Sequence, residues 1–504
     1  MSVLVLWKRY RIWVETGLAQ KVFEVGIALL VGLMVGALIV FSWGMPSKWQ
    51  QLIVAIPIAL TLVLLINDLN KIMLAAIAIS VPLNLDVALV VSPYARIPEN
   101  IVRGHRTLAG FTDLSLSLAA ILVIVGYALW LVVPRGERKP VRFFAGTSIP
   151  ALGLIFFSIL SVFQARDWQL SSFRVVQLLE QFLVYFYLAN SLRTVQDMQF
   201  FVTVALGAML VESVLMLVQW NTGTEFIIAG VQAVADGPGR VGGTLGATGP
   251  AAGYLSALAL IACAMMWASP RRSQKILAAL CFGLGTVALI GTGSRIGLIA
   301  FAVTVLGYVL IELVSGRVQR GSLVLLILVV LIVGVMFYDA IYTRYTAEDY
   351  GSAESRPMMY RLAWNMIRAH PWLGVGSGNY ALLTPDYFTS DVGTPEYVID
   401  VQIHNRYLLV WAESGSFAVL CYVSFLGSAI IKAWSCIKSK QRWISLMGAG
   451  LGCAILSLCI QMFTGSFHMR GITLFVWLLV ALAAGLHNLG QANSSPSLEP
   501  GSST

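Results

Sequence analysis

The sequence predicts an all-α polytopic membrane protein of about 14 transmembrane helices (12 to 14), with one large outer loop containing short helices. Three observations predict it. The 504 residues are 58% hydrophobic and only 11% charged. Their apolar residues gather into runs near the roughly 20 residues needed to span a bilayer. These runs are continuous rather than alternating, and only helices or closed barrels can cross lipid, so they are read as helices.

The candidate spans are 22–43, 49–66, 72–91, 114–134, 148–165, 171–190, 200–220, 250–269, 276–293, 296–314, 322–341, 407–431, 443–466 and 471–488. Lysine gives their orientation. Eight of the nine lysines fall before residue 22 or in the short loops around 67–71, 135–142, 191–199, 270–275, 315–321 and 432–442, the exception being Lys48. The positive-inside rule makes that side cytoplasmic. Segment 1–21 is then a cytoplasmic N-terminal piece, 22–341 holds helices 1–11, 342–406 is the large outer loop, 407–488 holds helices 12–14, and 489–504 is a cytoplasmic tail. The run 22–43 has no small-residue cleavage signature and is read as a retained helix. The tail is Ser/Pro/Gly-rich and expected to be disordered.

The outer side carries one lysine but thirteen arginines: Arg96, Arg103, Arg106, Arg166, Arg174, Arg240, Arg295, Arg344, Arg356, Arg361, Arg368, Arg406 and Arg470. Guanidinium is planar, always charged and suited to bidentate contact with phosphate or carboxylate. Any one of them can be read as pairing with an outer acid such as Asp349 or Glu354. As a set they point to anion binding, because ion pairing gives no reason to exclude lysine. All six cysteines lie in spans or a cytoplasmic loop, so no exported disulfide framework is expected. There is no zinc-type Cys/His spacing, no P-loop and no GxGxxG fingerprint. No metal or cofactor is expected, and no nucleic-acid partner.

The polar segments carry the chemistry. Ser355-Arg356-Pro357 reads as a helix start with Ser355 as N-cap, and the helix should end before Pro371. Arg361, Trp364, Asn365 and Arg368 then share one face. The following LGVGSGNY either brings backbone N–H groups to a ligand or is a plain turn. His404 directly precedes span 407–431, where it reads either as a proton acceptor or as a capping, interfacial histidine. GTGSRIG places Arg295 in a tight outer hairpin, and DGPGRVGGTLG places Arg240 in a glycine-rich outer loop.

GTGSRIGLIAF, RLAWNMIRAHPWLGVGSGNY and HNRYLLVWAESG together resemble the signature of the O-antigen ligase and O-antigen polymerase superfamily of bacterial envelope glycosyltransferases. The resemblance covers roughly 290–420, and RVGGTLG resembles the family's upstream Arg-x-x-Gly-Thr stretch, with Thr248-Gly249 where Pro-Asn often follows and Ile296 where glycine is usual. It implies a GT-C-like architecture in the inner (cytoplasmic) membrane with a periplasmic active site. It also implies metal-independent transfer of a glycan from an undecaprenyl-diphosphate carrier to a lipid or glycan hydroxyl acceptor; single-displacement, inverting transfer is the simplest form, because no paired carboxylates are evident for a covalent intermediate. On this resemblance His404 is the general base, and Arg295 and Arg361 act on the diphosphate as catalytic residues. Arg240, Arg356, Arg368, Asn405 and Glu413 are then expected to bind or orient substrate. Ligase and polymerase share this chemistry. A flippase for the same lipid-linked glycan is the third reading; it would place charges near mid-membrane, where only Glu180 and Glu212 are evident.

The lysine bias yields a direct prediction. With native cysteines replaced, a membrane-impermeant thiol reagent will label a cysteine at Ser352 in intact spheroplasts but not one at Gly136. The opposite labelling would move His404 and the arginines to the cytoplasm and remove the envelope-glycan reading.

Overall fold

The computed structural model describes residues 68–83, 86–91, 113–132, 140–224, 227–228, 231–232, 234–235, 239–346, 352–389, 403–467 and 469–492. The expected spans 22–43 and 49–66 lie outside them. The described chain is mostly helical. In order it contains α1 (Leu69–Leu83), α2 (Leu118–Val132), α3 (Ala145–Ser161), α4 (Trp168–Ser191), α5 (Val195–Thr222), α6 (Thr248–Ala268), α7 (Arg272–Gly291) and α8 (Arg295–Ser315). There follow α9 (Arg320–Met336), α10 (Tyr338–Thr346), α11 (Ser352–Ala369), the short α12 (Tyr380–Leu383), α13 (Arg406–Ser435), α14 (Arg442–Gln461) and α15 (Arg470–Ala492). Three two-stranded antiparallel ribbons join the helices; the largest pairs β1 (Asp86–Val91) with β2 (Asp113–Ser117).

Eight described helices are long and apolar enough to cross a membrane, or nine if the bent pair α9–α10 counts as one. This is a multi-pass membrane protein. Four expected spans differ in detail. The run 72–91 is helical only to Leu83 and then turns into β1, and its counterpart α2 also has 15 residues. At 1.5 Å per residue each is about 22 Å long, short of a ~30 Å hydrocarbon core. The run 322–341 breaks at Phe337, where α9 and α10 meet at a 65° bend. Helix α4, on the run 171–190, is long enough but not apolar enough, because Arg174, Gln177, Glu180 and Gln181 are on it, all buried.

Burial sorts the helices into two layers. α6 and α15 are almost wholly inside, and α14 packs with them. Small residues make this possible, as in soluble-poor, lipid-surrounded bundles generally. A Cβ on Gly450 would lie 2.5 Å from the Ala264 methyl, and one on Gly297 2.7 Å from that of Ala252. The outer layer presents apolar stripes to lipid. On α8, Ile299, Val303, Leu306, Leu310 and Leu313 recur at helical spacing and are exposed. The acids inside spans have partners. Glu212 accepts from the Thr244 backbone N–H (2.8 Å) and hydroxyl (2.6 Å), Glu180 from the Ser117 N–H (3.2 Å), and Glu312 from Arg317 (2.6 Å).

Helix α13 is broken, and the break fixes the outer loop. Gly415 has φ +84° and ψ −179°, far from helical values. Segment 371–378 is lodged against the break. Val375 N–H donates to the Ala412 carbonyl (2.8 Å), Gly376 N–H to that of Glu413 (3.0 Å), and Ser416 N–H to that of Pro371 (2.9 Å). Backbone groups freed by the break are thus met by the inserted loop, as burial requires. Ser377 Oγ reaches Ser414 Oγ (2.7 Å) and Ser161 Oγ (3.1 Å), and the Asn379 amide donates to the Asp167 carbonyl (3.0 Å). The glycines of LGVGSGNY therefore serve close backbone packing rather than a ligand or a plain turn: a Cβ on Gly374 would lie 2.4 Å from the Glu413 carbonyl carbon.

Gly415→Ala places a Cβ 1.9 Å from the Trp372 carbonyl at a left-handed φ. The expected loss is on the order of 3 kcal/mol or more. Gly427, in the same helix, has open space at its Cβ, and Ala there should be neutral or up to about 1 kcal/mol stabilising. Thermal unfolding of the purified proteins checks the pair; an unchanged Tm for Gly415→Ala would remove this account of the break.

Candidate active site

A cavity of about 440 Å³ opens where the starts of α6, α8 and α13 meet the ends of α7 and α14. Among the described residues its lining includes Arg240, Arg295, Arg344, Arg356 and His404 and no carboxylate. Four guanidinium groups lining one cavity make it an anion-seeking concavity.

The hairpin between α7 and α8 gathers them. Gly293 takes φ +60° and turns the chain, and Ser294 caps α8 by accepting the Gly297 N–H (3.2 Å). Three arginines are then tied through Nε to backbone carbonyls. Arg240 donates to Thr292 O (3.3 Å), Arg344 to Gly293 O (2.8 Å), and Arg295 to Arg344 O (3.0 Å). Arg240 Nη2 also donates to Thr248 Oγ1 (2.7 Å), and the Arg295 guanidinium lies 5.9 Å from the Tyr345 ring centre. Arginine has five N–H donors, so it can anchor by Nε and still present its terminal nitrogens. Lysine carries its three donors on one nitrogen, so it has no planar fork to divide between an anchor and a bidentate ligand.

His404 is exposed on the cavity wall, between buried Ile403 and buried Asn405. The capping role falls to Asn405, whose Oδ1 accepts the Leu408 N–H (3.0 Å). The Arg406 N–H donates to Met462 O (2.8 Å), tying the start of α13 to the end of α14. The far wall is the α14–α15 connection, with Thr464, Ser466 and Phe467. Phe467 has φ +45°, the non-glycine residue in the left-handed region among those described. The buried Arg356 Nε and Thr464 Oγ1 have no hydrogen-bond partner among the described residues. Buried polar atoms are nearly always bonded, so such pairs mark places where a polar ligand fits.

Of the residues expected from sequence, His404, Arg295, Arg240 and Arg356 are brought together as lining of this cavity. Arg361 and Arg368 are not among the lining residues. Both are exposed on α11, on the face shared with Trp364 and Asn365, and Arg368 stacks 5.5 Å from the Trp364 ring centre. That helix starts at Ser352, earlier than the expected Ser355 cap, and ends at Ala369, before Pro371 as expected. Glu413 is buried behind the wall, facing the backbone N–H groups of Gly378 and Tyr380 and the charges of Arg174 and Arg406. Sequence reasoning gave Arg344 no role of its own, since its contact with Gly293 spans 51 residues. Its one signal was membership of the outer arginine set. Outside the membrane spans, burial raises the Tyr387 phenol above its usual range, with Asp386 adding to it, while His370 Nε2 lies 2.7 Å from the same hydroxyl. Among the described residues no group of three or more His, Cys, Asp or Glu is placed to hold a metal ion.

Fold and cavity define a multi-pass membrane protein with a cation-lined site at one end of its helix bundle. Residues 280–423 match the model of a family described as O-antigen ligase. The match supports the resemblance to the O-antigen ligase and polymerase superfamily and a function of that kind, and it runs from within α7 to within α13, a stretch that includes Arg295, Arg344, Arg356 and His404. No curated protein matches the chain.

Gly293→Ala tests the geometry. Its Cβ would lie 3.2 Å from Arg240 Cγ and 3.4 Å from Arg344 Cδ. Binding of inorganic diphosphate, followed by calorimetry, should weaken at least about tenfold. Gly307→Ala, whose Cβ meets nothing within 4 Å, should leave it unchanged. Equal binding by both variants would detach the cavity from anion recognition.

Proposed function

We propose that this protein is an O-antigen ligase-like glycosyltransferase in envelope polysaccharide synthesis. It moves a glycan from an undecaprenyl-diphosphate carrier to a hydroxyl acceptor at the periplasmic face of the inner membrane. The observation that carries the reading is the convergence of His404 with Arg240, Arg295, Arg344 and Arg356 around one cavity at the bundle's end. A membrane-anchored diphosphate is an anion delivered at that depth. The family match over 280–423 supports the same chemistry.

In this reading the acceptor hydroxyl gives its proton to the His404 imidazole as its oxygen attacks the anomeric carbon. The bond from that carbon to the diphosphate oxygen breaks, and the electron pair leaves with the diphosphate. Its growing charge is met by the arginine forks, already fixed by their Nε anchors, so little reorganisation is needed. Single displacement inverts the anomeric centre. His404 returns its proton to solvent. Arg361 and Arg368, on the exposed face of α11, are assigned to the glycan or carrier side of the substrate, Asn405 to holding His404, and Glu413 to holding the loop behind it.

Two observations favour transfer over transport. The polar cluster lies at one end of the bundle, and Glu180 and Glu212 within the spans are occupied by Ser117 and Thr244. Polymerisation onto a carrier-linked repeat uses the same residues and differs in acceptor alone.

His404→Ala should abolish transfer of lipid-linked glycan in membranes while diphosphate binding persists. Arg295→Lys keeps the charge but loses the anchored fork, and should lower turnover at least about tenfold, more than Arg361→Lys does. Near-native transfer by His404→Ala would sink the base assignment; native turnover by Arg295→Lys would sink the clamp.

A further inference from the structure

A second polar pocket lies at the opposite end of the bundle. It measures about 610 Å³ and is lined by Arg193, Gln196, Gln441, Arg442, Trp443 and Leu489, among others. Helix α14 runs from this pocket at Arg442 to the arginine cavity at Gln461. Its 20 residues put the two about 30 Å apart, the thickness of a bilayer core.

Among the described residues the pocket has no carboxylate on its wall. Asp197, nearby in the first turn of α5, is engaged by the Thr194 N–H (3.0 Å) in a capping box that closes that helix end. The start of α14 is open by contrast: its N-cap residue Gln441 makes no side-chain cap, so first-turn N–H groups remain as donors. Arg193 is anchored by Nε to the Asn190 carbonyl (2.7 Å), the same device that holds the arginines of the other cavity. Burial, and then the neighbouring charge of Arg142, lower its proton affinity. An anion at this spot would relieve both. The Trp443 indole, more than nine-tenths buried, lines the pocket, and its N–H has no partner among the described residues.

We propose that this pocket binds a phosphate group, and that an anionic phospholipid headgroup supplies it. Two guanidinium groups, an uncapped helix start and an indole N–H are donors suited to phosphate oxygens. Leu489 and the indole ring offer apolar surface beside them, and basic pockets between membrane helices are a known setting for acidic lipid headgroups. The site is separate from the transfer chemistry, so its fate does not depend on the reaction proposed above.

The test uses the full-length protein in detergent, titrated with cardiolipin, phosphatidylcholine or inorganic phosphate while its Tm is followed. Cardiolipin should raise the Tm saturably, and zwitterionic phosphatidylcholine should raise it less. Arg193→Gln with Arg442→Gln should weaken the apparent Kd for cardiolipin at least about tenfold. Trp443→Phe, which keeps the ring and loses only the N–H, should weaken it in the same direction. Inorganic phosphate that reproduces the shift would assign the site to free phosphate, keeping the chemistry and replacing the source. Titrations identical to the unsubstituted protein's in the double variant would overturn the proposal, as would identical titrations of Trp443→Phe should the double variant not fold.

Discussion

Three guanidinium groups crowd around four residues of chain, Thr292 to Arg295, because backbone carbonyls hold each of them by Nε. Like charges repel, and in a partly buried setting the repulsion is not fully screened. Each bond from a cation to a carbonyl recovers about 1.5–3 kcal/mol, which offsets part of that cost. The turn that exposes the Thr292 and Gly293 carbonyls needs the left-handed Gly293. A Cβ there would meet the side chains of Arg240 and Arg344 at once. The hairpin is therefore both the turn between two membrane helices and the frame of the site.

The part of the cavity that carries His404 is fixed by a second constraint. His404 precedes a helix whose start is capped by Asn405 and tied to Met462, and whose middle is broken at Gly415. Breaking a helix among membrane spans leaves carbonyl and N–H groups that lipid cannot satisfy. The 371–378 segment meets them with its own backbone, and serines on α3 and α13 secure it from the side. Motifs far apart in sequence, HPWLGVGSGNY and the Glu-Ser-Gly of α13, are two halves of one packed joint. The joint sets where α11 ends, and α11 brings Arg356 to the cavity.

The buried polar helix α4 follows the same logic. Its arginine, glutamines and glutamate would be costly facing lipid. Inside the bundle they have company: Gln181 donates to Thr473 (3.0 Å), Glu180 takes the Ser117 N–H, and Arg174 lies in the field of Glu413. The helix thereby links the first ribbon, the glycine joint and α15.

The sequence by itself determined the membrane class and the spans with long continuous apolar runs, and it supplied the candidate site residues. Apolar length and the choice of arginine over lysine are written into composition and need no contacts to be read. His404, Arg240, Arg295 and Arg356 were legible because each sits in a short polar motif at a span's edge. Tertiary structure decided which of the arginines share a cavity. Arg344 joins through a carbonyl 51 residues away, while Arg361 points outward because the other face of α11 buries Met359, Leu362, Ala363 and Met366. It also decided what the glycines do. A run of glycine permits a ligand loop, a turn or a packed joint alike, and only the carbonyls of Ala412 and Glu413, brought there by the fold, select the joint.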